Sequence, residues 1–437
     1  MWMMQGYSRP WMPAATLWVA IVPAPELPPP LCPPRFVDRR GKQASSLFAF
    51  VEGARLDPAG LRDLLAWGYQ RGSRSLLTGV RRQAINWSIE PPSPDPVQLN
   101  FDERADRLWQ LLRFAVSEAS SAARRPRCSL SGGLDSRAVA AAAASLDSVR
   151  FTAGSFGDPD CPDLPVAAEL AARLGLAHEV SLISHDAALE NEERVWEATS
   201  GYGGPASAPG AATDALWGPG CDVLLSASSG DVIWGDTTLA GPSPRRRLVR
   251  SGLLMAGWEA SCALELALIP EPPAWASDGG VSAWNNLWTR QRGATWDGVR
   301  SRLAFTSVVP VPWNPALLSF CLALGDDDRR GRSLLCRMLE RNAPEVSAEA
   351  VPPVQGPVHD LDRAFRSSPA WAGALGQMMS ATERGSWRVL GIRPSFVARA
   401  VAHARAGSRR RAGFLSRLRA AWRWGRLLKE RGALASH

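Results

Sequence analysis

Cys128-Ser129-Leu130-Ser131-Gly132-Gly133-Leu134-Asp135-Ser136 is the stretch that decides the fold. Cys128–Leu130 reads as a short strand, Ser131–Ser136 as a loop, and the alanine-rich run Arg137–Ser145 as a helix. Two glycines directly after a strand let the backbone approach a ligand closely, and the start of the next helix aims free N–H groups and a positive dipole end at it. A loop built this way cradles phosphate. Ser131 and Ser136 add hydroxyl donors, and Asp135 can hold a magnesium ion against phosphate oxygens. It is not a Walker A loop, which needs a lysine after its last glycine, because no lysine lies between residues 43 and 428.

Working outward, strands and helices alternate. Val149–Ala153 reads as a strand, Asp163–Leu174 as a helix closed by Gly175, Glu179–Leu182 as a strand, Ser184–Thr199 as a helix and Asp222–Ala227 as a strand. That alternation predicts a parallel α/β sheet, with the loop at the carboxyl end of a strand, where such sheets bind ligands. Upstream, residues 1–35 are rich in Pro and Trp and read as irregular. Leu56–Gly72 reads as a helix opened by Asp57-Pro58, Glu90–Pro96 as a linker, and Asp102–Ala123 as an amphipathic helix. Past Gly241 the pattern turns helical, over Leu253–Leu268, Asn285–Leu303, Pro315–Leu324, Arg332–Arg341 and an arginine-rich Gly407–Glu430.

On these residues the chain resembles the PP-loop ATP pyrophosphatases (the adenine nucleotide alpha hydrolase-like α/β fold), and within them the asparagine synthetase family, whose loop reads SGGxDS. Phe151-Thr152-Ala153-Gly154 resembles the strand that places the adenine. Pro162-Asp163-Leu164, Ala167-Ala168-Glu169, Leu174-Gly175 and His178-Glu179 follow the family's spacing. Ser226-Ala227-Ser228-Ser229-Gly230-Asp231-Val232-Ile233-Trp234-Gly235 is similar to its second loop, SGEGSDExxGG. The resemblance implies ATP and Mg2+ as cofactors. It places Ser131, Gly132, Gly133, Leu134, Asp135, Ser136, Ala153 and Ser226 on the nucleotide, Asp135 and Asp231 on the metal, and Asp231 and Arg332 in catalysis. The implied reaction is adenylation of an Asp- or Glu-type carboxylate and its transfer to an amine, in a cytoplasmic, AMP-forming ligase. The expected organisation is a degenerate amidotransferase-like remnant (1–98), the synthetase domain (99–345) and a helical C-terminal region (346–437).

The departures from the pattern narrow this. Trp2 stands where the family has the glutaminase cysteine, and too few residues precede Ser131 for the full amidotransferase domain, so the chain is not expected to hydrolyse glutamine itself. Ser228 and Val232 replace both glutamates of the second loop, and Ser229-Gly230 inverts its Gly-Ser. Arg332 stands in place of a lysine and, unable to lose its proton, fits an electrostatic role only. Free aspartate with ammonia is one substrate pair. The other is a precursor peptide whose N-terminal amine closes a macrolactam, as in lasso-peptide relatives. A tRNA-modifying PP-loop enzyme and a nucleotide-binding pseudoenzyme with a companion protein are the competing readings.

Composition bears on those competitors. The 437 residues carry a net charge of +8, and only Lys42 and Lys429 among the 50 basic residues are not arginine. Ten arginines and Lys429 lie in residues 399–437 against Glu430 alone, leaving 39 basic and 41 acidic residues elsewhere. The body is therefore near neutral, and a nucleic-acid partner is not expected of it. A helix with an apolar face in the tail suits packing on the body or on an anionic membrane surface. Seven scattered cysteines without a CxxC pair read as reduced thiols, and five dispersed histidines give no zinc signature. No apolar stretch reaches the ~20 residues of a membrane span.

Overall fold

A computed structural model describes the chain apart from residues 1–34, 68–69, 71–73, 84–88, 185, 204–219, 236–270, 289–290, 292–295, 304–305, 355–367, 381–385, 388–389, 391, 406–411 and 432–437. The irregular N-terminus, the helix expected over Leu253–Leu268 and Arg409-Arg410-Arg411 lie outside the described residues.

Strands β1 (Phe36–Asp38), β2 (Gln43–Ala44) and β3 (Val80–Arg82) form a small antiparallel sheet in the order β2-β1-β3. The main sheet has five strands, β4 (Pro126–Ser129), β5 (Thr152–Gly157), β6 (Ala177–Leu182), β7 (Val223–Ser226) and β8 (Val308–Pro310). Its order is β6-β5-β4-β7-β8, with every pair parallel. The chain runs from β4 outward one way through β5 and β6, then returns to the other side of β4 for β7. Such a reversal creates a crevice at the carboxyl ends of the two strands that flank it. All four residues of β7 are buried, and Val223–Leu225 form the continuous apolar run of a strand covered on both faces. The fifth strand, Val308–Pro310, is too short to show a period in the sequence.

Helix α1 (Pro58–Trp67) opens on Asp57, whose carboxylate accepts from the Ala59 N–H at 2.8 Å. Helix α2 (Phe101–Ser120) is set by a reciprocal capping box between Asn100 and Glu103. Helix α3 (Leu134–Ala144) starts inside the Ser/Gly loop, and Ala138 to Ala143 are all buried, which matches a helix apolar all round. Helix α4 is Asp163–Arg173.

Other expected helices also take different bounds. Ser184–Thr199 breaks at Asn191 (φ −101°, ψ 3°) into Ala187–Glu190 and Glu192–Ala198. Asn285–Leu303 is replaced by Asp278–Asn286, capped by the Ser277 hydroxyl, and Trp296–Leu303. The helix expected from Arg332 begins at Ser333, because Arg332 itself takes a left-handed conformation (φ 60°) that a right-handed helix cannot contain.

Two apolar cores result. One gathers buried residues from Ile89 to Val351 around the parallel sheet. The other joins β1, α1, the Ala188–Tyr202 stretch and the C-terminal helices Pro369–Met379, Pro394–Arg405 and Ala412–Glu430. The arginine-rich helix is thus docked along an apolar face that includes Leu415, Leu418, Trp422, Trp424 and Leu428. Phe48 stacks on Trp424, and the Trp424 indole N–H donates to the Gly201 carbonyl at 2.9 Å. Its cations turn inward as well. Arg419 meets Glu192 through two bonds of 2.5 and 2.6 Å, and Arg423 pairs with Glu193 and lies over the Trp196 ring.

The Arg419–Glu192 pair is nearly buried on both sides, so removing one partner strands the other charge. Glu192→Ala should lower unfolding free energy by ~3–5 kcal/mol, while replacing both residues by methionine should restore most of it. Equilibrium urea unfolding of the two variants checks this.

Candidate active site

The loop after β4 is tied to itself before any ligand is considered. The Ser136 hydroxyl accepts from the Ser131 N–H at 3.0 Å and lies 2.8 Å from the Ser131 hydroxyl, which in turn accepts from the Gly133 N–H at 3.3 Å. Leu134 opens α3 with Gly133 as its N-cap, so the helix's first amides point into the loop. A Cβ on Gly132 would stand 3.2 Å from a carboxylate oxygen of Asp163 and 3.3 Å from Val354, a fit that leaves little room for a side chain.

The loop after β7 stands beside it. Ser226 ends the strand, its hydroxyl 2.7 Å from that of Ser228. Ser229 adopts φ 73° and donates to the buried Gln291 at 3.1 Å. The inverted Ser229-Gly230 now has a physical reason. A Cβ on Gly230 would fall 2.8 Å from the Trp234 ring and 3.1 Å from the Asp135 Cβ. Trp234 is almost wholly buried and its indole N–H donates to Asp135 Oδ1 at 2.7 Å, so glycine at 230 makes room for an indole that links the two loops.

Asp135 Oδ1 also accepts from the Arg332 guanidinium at 3.1 Å. Burial pushes the Asp135 carboxyl above its usual range, Arg332 and the Trp234 N–H pull it back, and the charge of Asp231 pushes it up again. Asp135 and Asp231 therefore feel each other's charge from neighbouring strand ends. Two hard carboxylates with one oxygen of Asp135 outside these contacts suit a magnesium ion that completes its shell with substrate phosphates. Among the described residues no group of three His, Cys, Asp or Glu forms a cage of protein ligands alone. Arg332 reaches Asp135 from a left-handed backbone that follows a second left-handed residue, Gly331, and strain of this kind concentrates at functional sites.

On the other side, Ala153 is buried in β5, in register with Cys128 of β4 and His178 of β6. Two residues on, the Ser155 hydroxyl donates to the Leu130 carbonyl at 2.7 Å and lies 2.8 Å from His178 Nε2. A hydroxyl has one proton, so His178 Nε2 is the donor in the second bond and carries its hydrogen. Burial lowers the pKa of His178.

The ten residues expected at the site lie on the loop after β4 and the start of α3, on β5, at the end of β7 and the turn that follows it, and before the helix Ser333–Asn342. Sequence reading did not assign Trp234 or Asp163 to it. Trp234 falls on a position the family pattern leaves open. Asp163 is buried at the start of α4 with its Oδ1 lacking a hydrogen-bond partner, and burial raises its pKa. Only the fold brings it to Gly132.

The family model for asparagine synthase matches residues 107–345, more than half of the chain. The chain belongs to the asparagine synthase family, and membership supports an ATP-dependent amide ligase. No curated protein matches the chain.

Two outcomes follow from the geometry. Gly230→Ser, which restores the family's residue, should displace Trp234 and lower melting temperature, with Gly230→Ser/Trp234→Ala recovering part of the loss in a thermal melt. Because His178 is held below its ordinary value of 6.5 by burial, its contribution to stability is fully present above that value and is lost as pH falls through the lowered one. Melting temperatures measured from pH 8 to pH 5 should fall less steeply in His178→Gln than in wild type.

Proposed function

We propose that this chain is an AMP-forming amide ligase that adenylates the side-chain carboxylate of an Asp or Glu and transfers it to a peptide α-amine. The observation that carries this reading is the convergence of Asp135, Asp231 and Arg332 on the crevice where the two loops meet.

The substrate carboxylate attacks the α-phosphorus of ATP, the bond from that phosphorus to the bridging oxygen breaks, and pyrophosphate departs. Amide groups at the start of α3 and the hydroxyls of Ser131 and Ser136 face the departing pyrophosphate. The Arg332 guanidinium offsets charge that grows on the leaving oxygens and takes no proton. Asp135 and Asp231 would hold magnesium, which would supply charge neutralisation at the phosphates. The amine then attacks the acyl carbon, AMP leaves, and the amine gives up one proton.

The second loop supports an α-amine as the acceptor. Both family glutamates are absent, and Ser228 is bonded to Ser226 while Val232 is buried. An amine that must arrive unprotonated is best served by an α-amino group, with a pKa of about 7.7–8.0 against about 10.4 for a lysine side chain. When carboxylate and α-amine belong to one precursor peptide, the product is a macrolactam of the lasso type. No described helix is long and apolar enough to cross a membrane. The inward-turned arginines of the last helix speak for packing rather than tRNA binding.

Pyrophosphate release with ATP and Mg2+ tests the reading in two arms. A peptide with a free N-terminus and an internal Asp or Glu should support release and lose one water in mass, whereas its N-acetylated form should yield no amide. Release with aspartate and ammonia but not with peptide would overturn the acceptor assignment. Asp231→Asn should reduce turnover by about 100-fold or more if the carboxylate stabilises the transition state.

A further inference from the structure

We propose that residues 346–354, immediately past the stretch matched by the family model, form part of the nucleotide site, and that Arg137 is the positioning residue joining them to the phosphate loop. The proposal rests on the reading that this loop binds ATP.

Arg137 is wholly buried one turn into α3. Its Nη1 donates to the carbonyls of Val346, Ser347 and Val351 at 3.1, 3.1 and 2.7 Å, and its Nη2 to the Gly132 carbonyl at 3.1 Å. From the other side the Val354 N–H donates to that same Gly132 carbonyl at 3.3 Å. Two donors therefore pin one carbonyl of the phosphate loop. In a trans peptide the C=O and the next N–H point opposite ways, so fixing the Gly132 carbonyl fixes the direction of the Gly133 N–H. That N–H lies on the inner side of the loop, toward Ser131.

The clamp also reaches Arg332. The helix Ser333–Asn342 carries Arg332 at its start and runs into the turn Pro344–Val346, which Arg137 holds. One buried guanidinium thus sets the phosphate loop and the far end of the helix that positions Arg332.

A structural staple alone does not account for the choice of side chain. All four acceptors are neutral carbonyls, and no carboxylate pairs with Arg137 among the described residues. A buried cation without a counter-charge is costly, and its uncompensated charge beneath the loop adds to the helix dipole that favours phosphate.

Lysine separates the two roles. Its ammonium can hold carbonyls that the two N–H groups of Nη1 share, but it lacks the planar fork that ties them to Gly132 as well. Titration calorimetry with ATP and Mg2+ on the full chain should show Arg137→Lys binding with near-normal stoichiometry and a Kd raised about tenfold, the equivalent of ~1.4 kcal/mol. An unchanged Kd, with or without a lower stoichiometry, would mark a purely structural residue and overturn the proposal. Wild-type protein that fails to bind ATP would overturn the ATP reading itself. Val354→Pro removes the second donor to Gly132 without touching Arg137. A severalfold higher Kd in that variant supports the inference even if Arg137→Lys does not fold, and an unchanged Kd contradicts it.

Discussion

The active crevice depends on one carboxylate oxygen. Asp135 Oδ1 receives the Trp234 indole N–H and the Arg332 guanidinium, so the loop after β4, the loop after β7 and the helix Ser333–Asn342 meet at a single atom. Burial opposes the charge on that carboxylate, and the arginine and the indole N–H counter it. These two contacts hold the carboxylate in place within the fold itself. The parallel order β6-β5-β4-β7-β8 makes the meeting possible, because only strands next to the chain reversal present their loops to each other.

Much of this was legible in the sequence, and for identifiable reasons. The loop Ser131–Ser136 and the alternation of strands and helices are local patterns, so four parallel strands could be read directly, although β5 runs over Thr152–Gly157 rather than the expected Val149–Ala153. The second loop was legible only as a departure from a pattern. Its missing glutamates are visible in the letters, but the Ser229-Gly230 inversion makes sense only once Trp234 is seen against Gly230 and Asp135. Asp163 and Arg137 illustrate the limit more sharply. Each is an ordinary residue near a helix start, and each gains its meaning from a contact with Gly132 or with residues more than 200 positions away.

The basic tail shows the same limit at the level of a whole segment. Composition alone allows a helix with ten arginines nearby to grip phosphate, lie on a membrane or dock on the body. Glu192 and Glu193 decide among them. They sit on the helix Glu192–Ala198 and meet Arg419 and Arg423, while Phe48, Trp196 and Trp424 pack against one another. Both ends of the described chain therefore share a core that is separate from the parallel sheet.

The near absence of lysine acquires a structural sense in the crevice. Arg137 lies under the first loop and holds four carbonyls. Arg329 lies under the second and holds the Val232 and Ile233 carbonyls at 3.2 and 2.9 Å, together with that of Cys321. Arg332 spans from its own helix to Asp135. A guanidinium offers five donors in a rigid plane and can tie several peptide groups from different elements, whereas an ammonium offers three from one point. Arginine beneath both loops and across them makes the crevice rigid through its backbone rather than through carboxylate cages. The consequence is a site whose geometry is set by cations that keep their protons, so that under the proposed reaction the protonation changes would fall to its carboxylates and to the accepted amine.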